Sequence, residues 1–123
     1  MEVVLDSSFI LSCIKRRIDF IEELEKEGFR IHVPLSVFQE LKDLKKSDKI
    51  GREGRANADI AMEMLENKKI KKIRIGGRSV DEGLIRKGKE GVFIATLDRE
   101  VKRNVPNRVV ISNSKNSIIL ERD

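Results

Sequence analysis

Four acidic side chains are placed where they could share a divalent cation. They come from four separate segments of the chain: Asp6, Glu40, Asp81 and Asp98. Carboxylates that lie close together repel one another unless a cation lies among them, and such hard oxygen ligands select Mg²⁺ or Mn²⁺ over zinc. A cation held in this way activates water and stabilises the charge on a phosphodiester in the transition state. The chemistry open to these residues is therefore metal-assisted phosphodiester hydrolysis.

Each of these acids also has an ordinary structural interpretation. Asp6 and Asp98 could be helix N-caps, which is a common use of Asp after a strand. Asp81 could be a favourable charge near the N-terminus of a helix, and Glu40 could be an exposed residue on an amphipathic helix. Composition and spacing alone leave both interpretations open.

The hydrophobic pattern changes its period repeatedly, which predicts strands alternating with helices. Strands are predicted at residues 3–5, 29–33, 70–75, 92–96 and 109–111, and residues 118–120 could form a small last strand. Helices are predicted after residue 6, at 19–28, after residue 34, and at 55–68, 79–89 and 98–104, with a mobile loop at 45–54. This alternation implies a parallel sheet, and ligands gather at the carboxyl ends of parallel strands.

Length and composition narrow the class of protein. The chain has 123 residues, 39% of them hydrophobic and 38% charged, which predicts one ordered domain over residues 1–123. One cysteine excludes an internal disulfide, and there is no Cys/His cluster for structural zinc. No apolar run is long enough to span a membrane, and the first residues lack the basic region of a secretory signal. We therefore expect a cytoplasmic protein without a membrane partner.

The formal net charge is +5, and the basic excess is concentrated in the middle of the chain. The densest part holds six cations: Lys68, Lys69, Lys71, Lys72, Arg74 and Arg78. Such a stripe is typical of a surface that contacts a phosphate backbone, although a solvated face would look the same. Trp and Tyr are absent, so stacking of bases on aromatic rings is not the expected way of binding nucleic acid.

Four segments together resemble a PIN domain in their order and spacing. They are VVLDSSFIL at 3–11, VFQEL at 37–41, VDEGLI at 80–85 and IATLDREVKR at 94–103, with ATLDRE the most specific piece. The resemblance covers nearly the whole chain. It is strongest to archaeal single-domain PIN proteins similar to VapC toxins and to the PIN nucleases of ribosomal RNA processing. It implies a three-layer α/β/α fold with a five-stranded parallel sheet.

The resemblance also implies a metal-dependent endoribonuclease that uses Mg²⁺ or Mn²⁺. It assigns the metal ligands and catalytic acids to Asp6, Glu40, Asp81 and Asp98. Supporting roles are expected for Ser7, Ser8, Thr96, Glu82 and Glu100. Ser7 and Thr96 stand at hydroxyl positions of the family pattern, whereas Ser8 stands where the family commonly has Asn.

RNA is the expected partner. The cations best placed to hold its backbone lie in or near the predicted mobile loop: Lys45, Lys46, Arg52 and Arg55. A toxin would also need an antitoxin, and an RNA-processing enzyme could meet a ribosome-assembly factor. Homodimerisation is a further expectation, supported by exposed apolar residues of the early helices at Ile14, Ile18 or Ile21.

Two other functions compete with the nuclease. A non-catalytic RNA-binding module of the same fold would use the basic stripe, but it would gain nothing from four converging acids. A phospho-receiver domain would need an early acidic pair and a Lys after the last strand, which the chain lacks. Among single residues, Cys13 is expected to be a buried small hydrophobe, and His32 has no partner motif that would make it a catalytic base.

Overall fold

Six strands and six helices alternate along most of the chain in the computed structural model, which describes residues 1–123. The strands are β1 (Glu2–Leu5), β2 (Arg30–Pro34), β3 (Lys71–Ile73), β4 (Phe93–Ala95), β5 (Asn107–Ser112) and β6 (Ser117–Arg122). The helices are α1 (Ser7–Lys15), α2 (Phe20–Lys26), α3 (Leu35–Leu44), α4 (Arg52–Asn67), α5 (Val80–Lys89) and α6 (Arg99–Arg103). None of the helices has the length and apolarity that crossing a bilayer requires.

The strands form one sheet in the order β3-β2-β1-β4-β5-β6. Strands β1 to β5 are parallel to one another. After β1 the chain builds outward in one direction through β2 and β3, and it then returns to add β4 and β5 on the other side of β1. The order therefore reverses between β1 and β4, which is the place where open parallel sheets bind their ligands.

The prediction of a five-stranded, fully parallel sheet is wrong in its count and its last strand. The segment considered as a small last strand forms β6, which pairs antiparallel with β5 from Asn107↔Arg122 to Ser112↔Ser117. Only the turn at residues 113–116 connects these two strands. A parallel partner would need a crossover connection of a dozen or more residues, so an antiparallel hairpin is the arrangement that this short connection permits.

Helices cover both faces of the sheet, which confirms the three-layer α/β/α architecture. In β1, Val3 and Leu5 point into the larger core cluster with α1 to α4, whereas Val4 points into a smaller cluster with residues of α5 and α6. All three side chains are buried. A strand buried on both faces is expected to be a continuous apolar run rather than an alternating one, as Val3-Val4-Leu5 is.

The predicted mobile loop at 45–54 is shorter than expected because α4 already begins at Arg52. The guanidinium of Arg55 donates hydrogen bonds from Nη1 to the carbonyl oxygens of Ser47, at 3.2 Å, and Ile50, at 2.6 Å. Gly54 lies close under Ile50, whose Cδ1 would be 3.2 Å from a Cβ at that position. These contacts hold the connection against the first turns of α4. Gly54 is therefore accommodated within the helix and does not interrupt it.

Two of the three isoleucines expected to be exposed on the early helices are buried. Ile18 and Ile21 are buried in the larger core cluster, and Ile14 is only partly exposed where it packs against the same cluster. The helical spacing of these isoleucines identified an apolar face correctly. Ile18 and Ile21 pack inward within the same chain, and homodimerisation stays a prediction.

Candidate active site

Asp6 lies at the junction of β1 and α1, at the carboxyl end of the central strand. Its backbone N–H donates to the carbonyl oxygen of Ala95 at 2.9 Å, which continues the β1–β4 ladder by one residue. Oδ1 accepts from the backbone N–H of Ser7 at 2.9 Å, so the residue is the N-cap of α1. Oδ2 accepts from Thr96 Oγ1 at 2.7 Å. The capping and functional interpretations of Asp6 are therefore compatible, because capping occupies one of the two oxygens.

Thr96 connects two of the predicted acids across the reversal in strand order. The side chain is fully buried just beyond β4. Oγ1 donates to Asp6 and accepts from the backbone N–H of Asp98 at 3.1 Å. One hydroxyl thus fixes the orientation of the Asp6 carboxylate and the start of the turn that carries Asp98.

Ser8, which stands where the PIN pattern commonly has Asn, keeps a link to the same group. Its Oγ accepts from the backbone N–H of Leu97 at 3.1 Å, and lies 3.4 Å from both Asp6 Oδ2 and Thr96 Oγ1. Distances of 3.4 Å are long for hydrogen bonds between oxygens. Ser8 therefore holds the turn after β4 firmly and contributes little to the orientation of Asp6.

Glu40 reaches the same place from α3. The Ser7 hydroxyl donates to Glu40 Oε2 at 2.8 Å, although the two residues are 33 positions apart in the chain. Ser7 is buried, whereas Glu40 is exposed on the outer side of α3. This bond connects the first residue of α1 to α3 and holds the Glu40 carboxylate at the edge of the site.

Asp98 is the N-cap of α6, as its second interpretation predicted. Oδ1 accepts from the backbone N–H of Glu100 at 2.8 Å and of Val101 at 3.3 Å. The cap uses only Oδ1, so Asp98, like Asp6, has an oxygen that is not needed for its capping role. Asp98 therefore stabilises the start of α6, and α6 in turn fixes the position of the Asp98 carboxylate.

Asp81 faces Asp98 and Asp6 from the first turn of α5. This helix begins as predicted, with Ser79 as the N-cap whose Oγ accepts from the backbone N–H of Glu82 at 3.2 Å. The pKa of Asp81 is raised above its ordinary value, first by partial desolvation and then by the negative charges of Asp98 and Asp6. Asp98 also raises it through a hydrogen bond that favours the protonated form. Repulsion among the acids thus contributes to the raised pKa of Asp81, after desolvation.

The four predicted acids line one open cleft of about 430 Å³. Its walls are completed by two serines and two apolar residues, and no Lys or Arg lines it. The full set of lining residues is Asp6, Ser7, Ser8, Glu40, Val80, Asp81, Leu97 and Asp98. The fold thus brings together four acids from four elements at the carboxyl ends of β1 and β4, with no basic side chain to balance them.

Comparison with known proteins decides the family. A family model described as a PIN domain matches residues 3–120. The chain belongs to the PIN domain family. PIN domains are generally nucleases, so a nuclease is the class of activity that this membership supports. No curated protein sequence matches the chain significantly.

Among solved structures, this PIN domain is similar to the PIN domain endonuclease Utp24. The TM-score is 0.72 at 18% sequence identity, and the match covers 99% of this chain and 92% of that one. A domain of a functionally unknown protein from Methanocaldococcus jannaschii DSM 2661 matches at 22% identity with a TM-score of 0.48, covering 83% and 81% of the two chains. The likeness to Utp24 confirms the PIN fold.

Two of the supporting acids do not reach the cleft of this PIN domain. Glu100 Oε2 accepts from Arg103 Nη2 at 2.6 Å, and its Oε1 accepts from Asn104 at 3.3 Å, so its carboxylate is directed along α6. Glu82 is exposed and does not line the cleft. The sequence missed the apolar lining residues Val80 and Leu97. Leu97 is 42% exposed although it follows a fully buried strand. Its position in the sequence between Thr96 and Asp98 could have indicated that it lies at the site.

The chemical type of the donor atoms in the PIN site suits a hard divalent cation. Its oxygens come from carboxylates and hydroxyls, which suit Mg²⁺ or Mn²⁺. No group of three or more His, Cys, Asp or Glu side chains is close enough to hold a metal ion as the side chains stand. Coordination would therefore require small side-chain rotations, for which the exposed Glu40 and Asp81 have room.

The four predicted RNA-binding cations of the PIN domain have different surroundings. Lys46 and Arg52 are exposed. Lys45 Nζ lies 3.3 Å from Asp59 Oδ1 in an exposed ion pair. Arg55 is partly buried and is engaged with the carbonyls of the preceding connection, so its observed role is structural.

Proposed function

We propose that this PIN domain is a metal-dependent endoribonuclease that hydrolyses RNA phosphodiester bonds with Mg²⁺ or Mn²⁺. The observation that carries the proposal is the convergence of four carboxylates, from four separate elements, in a cleft without a lining cation. A structural cluster of acids would be expected to have basic partners. A site that binds a metal ion needs its negative charge to be available.

Asp6, Asp81, Asp98 and Glu40 would hold the metal, and a bound divalent cation would supply an activated water for hydrolysis of the phosphodiester. Thr96 and Ser7 position two of these carboxylates by donating hydrogen bonds to Asp6 and Glu40. The turn that carries Asp98 is held by the hydroxyls of Thr96 and Ser8. Such hydrogen bonds to ligands tune metal affinity.

The charge of the cleft also constrains the order of binding. A phosphate group that approached four unscreened carboxylates would be repelled, because like charges at short distance in a partly desolvated site raise the energy steeply. A divalent cation among the acids offsets much of this repulsion and gives the phosphate a positive charge to approach. We therefore expect RNA to enter the cleft only together with the metal, with its flanking backbone held by lysines outside.

The test is cleavage of a single-stranded RNA in the presence of Mn²⁺ by the wild type and by Asp6→Asn. Asn keeps the N-cap of α1 but removes a charged ligand, so we expect cleavage to fall roughly 100-fold or more, beyond the range reported for residues that only support a metal ligand. Stabilisation by Mn²⁺ alone, measured as a rise in Tm, should also be lost, which gives a readout independent of cleavage. Equal cleavage by both proteins would reject the proposal.

The second candidate is a non-catalytic RNA-binding PIN module. It is favoured by the observation that no three acidic side chains are close enough to hold a metal as they stand. The same experiment separates the two candidates. A pure binding module would retain RNA affinity but show neither cleavage nor thermal stabilisation by Mn²⁺.

A further inference from the structure

A second concave surface lies on the other side of α3. It is a groove of about 450 Å³ between α3, α4 and β3. Four lysines line it: Lys42, Lys45, Lys46 and Lys72. The sequence placed two of them beside a loop and one in the basic stripe, and the fold brings them together with Lys42. We call this surface the lysine groove.

The charge of the lysine groove is largely uncompensated. Lys45 is paired with Asp59, whereas no carboxylate lies within 4.0 Å of the ammonium groups of Lys42, Lys46 and Lys72. One acid, Glu66, also lines the groove. Clustered like charges on a concave surface create a strong local potential that attracts a ligand of the opposite sign.

Apolar side chains contribute little open surface to the lysine groove. Phe38 is almost fully buried, with Lys72 Nζ 4.8 Å from its ring centroid, and Leu35 is 38% exposed beside it. The groove therefore presents mainly ammonium groups, which suit the phosphates of an RNA backbone.

The lysine groove and the acidic cleft share one helix. Glu40 points from α3 to Ser7 in the cleft, while Phe38 and Lys42 of the same helix line the groove. Two residues along a helix correspond to a rotation of about 200°, so these side chains project from nearly opposite sides of α3. The two surfaces are therefore separated by about the 10 Å width of a helix, a distance that one continuous RNA strand crosses.

We propose that the lysine groove holds the phosphate backbone of an RNA segment that flanks the phosphodiester in the acidic cleft. This inference rests on the proposed ribonuclease function for the role of the cleft. It adds a second contact surface, at which Lys42 and Lys72 bind phosphates.

The experiment measures binding without catalysis. A short fluorescein-labelled single-stranded oligoribonucleotide is titrated in EDTA with wild type, with Lys42→Gln/Lys72→Gln, and with the control Lys89→Gln/Lys115→Gln. The control has the same change in net charge at two exposed positions outside the groove. We expect the groove variant to bind about tenfold or more weakly and to reduce the salt slope by about 1.4, the value for two phosphate contacts on a single strand. The control should remain within about twofold of wild type.

A further arm keeps the result interpretable. Lys42→Arg/Lys72→Arg retains both charges and should restore binding, which separates the loss of charge from a folding defect at these positions. Unchanged RNA binding by the Gln variant, or an equal loss of binding in the control variant, would overturn the proposed role of the lysine groove.

The outcome is independent of the proposed catalytic function. If RNA cleavage is absent but the Gln variant still loses binding in EDTA, the groove stands and the ribonuclease proposal falls. If RNA cleavage is present and the Gln variant binds RNA as tightly as the wild type, the ribonuclease proposal stands and the groove proposal falls. Tight binding of a short polyglutamate peptide that the Gln variant loses and RNA does not displace would assign the groove to an acidic polypeptide instead.

Discussion

Two groups of acidic side chains in this PIN domain have opposite surroundings. Glu121 and Asp123 lie beside Arg108, whose guanidinium binds them at 3.2 and 2.9 Å and also donates to the carbonyls of Lys102 and Val105. The hydrogen bond that Arg108 donates to Asp123 is the main reason why the pKa of Arg108 is raised. Around this arginine, opposite charges are matched within the chain, and nothing further is needed to balance them.

The acidic cleft has no such match. Hydroxyls and backbone N–H groups orient its carboxylates, but no Lys or Arg side chain lines it, and the neighbouring acids raise the pKa of Asp81 after desolvation. The comparison separates charge that stabilises the fold from charge that is kept available for a ligand. Substitutions in the first group should change stability without activity, and substitutions in the second should do the opposite.

The largest expected effect is on activity, in Asp98→Asn. Asn caps a helix about as well as Asp, so α6 should keep its stability while a charged metal ligand is lost. We expect Mn²⁺-dependent RNA cleavage to fall roughly 100-fold or more, beyond the usual effect of changing a supporting residue, with Tm within a few degrees of wild type. Single-turnover cleavage kinetics and a thermal melt measure the two quantities.

Asp19→Asn is the matched control for that prediction. Asp19 caps α2 by accepting from the backbone N–H of Glu22 at 3.2 Å, and it does not line the acidic cleft. The same chemical change at this cap should leave cleavage unchanged. A comparable loss in both variants would mean that Asp98 acts only through the stability of its helix.

The next effect is expected for Thr96→Val, which links stability to activity. Removing the hydroxyl leaves the backbone N–H of Asp98 without its acceptor and Asp6 Oδ2 without its shortest hydrogen bond. We expect a loss of about 1–3 kcal/mol in the free energy of unfolding, measured by urea denaturation. Affinity for Mn²⁺ should fall by about 10–100-fold. Thr96→Ser should keep both properties close to wild type, and an equal defect in Ser would contradict the role of the hydroxyl.

Arg108→Gln tests the compensated group. The change removes hydrogen bonds to two backbone carbonyls near the end of α6 and leaves two acids without their partner. We expect a loss of about 1–2 kcal/mol in the free energy of unfolding and unchanged RNA cleavage per folded molecule. Arg103→Gln is the control, since its pair with Glu100 is exposed and should cost about 0.5 kcal/mol. A selective loss of cleavage in Arg108→Gln would remove the distinction between the two groups.

How much of this arrangement is readable from the sequence depends on the range of the contacts. The start of a helix at residue 79 and the burial of Cys13 were predicted from local pattern alone, and both are confirmed. The convergence of Asp6 and Asp98 followed from their positions after strands, because parallel strands end at a common edge of the sheet. Local chemistry and simple topology were sufficient for these features.

Contacts between distant segments were not readable in the same way. The burial of Ile18 and Ile21 depends on what packs on the early helices, which periodicity does not reveal. The lysine groove forms because β3 pairs with β2 and so places Lys72 beside α3. The structural role of Arg55 depends on two carbonyls of an irregular segment. Each of these features requires the assembled fold.

The smallest expected effect is a gain in stability in Asp81→Asn, measured without metal. The pKa of Asp81 is raised in the folded state, so folding favours its protonated form, and the associated stability falls as the pH rises above the carboxyl's unfolded value of about 4. At neutral pH, Asn should therefore increase the free energy of unfolding by a few tenths of a kcal/mol, because the group is exposed and well screened. The sign should reverse when Mn²⁺ is added, since the wild type gains binding energy that the variant lacks. A variant less stable than wild type in EDTA would show that Asp81 is stabilised by its neighbours, and the acidic cleft would then belong with the compensated group around Arg108.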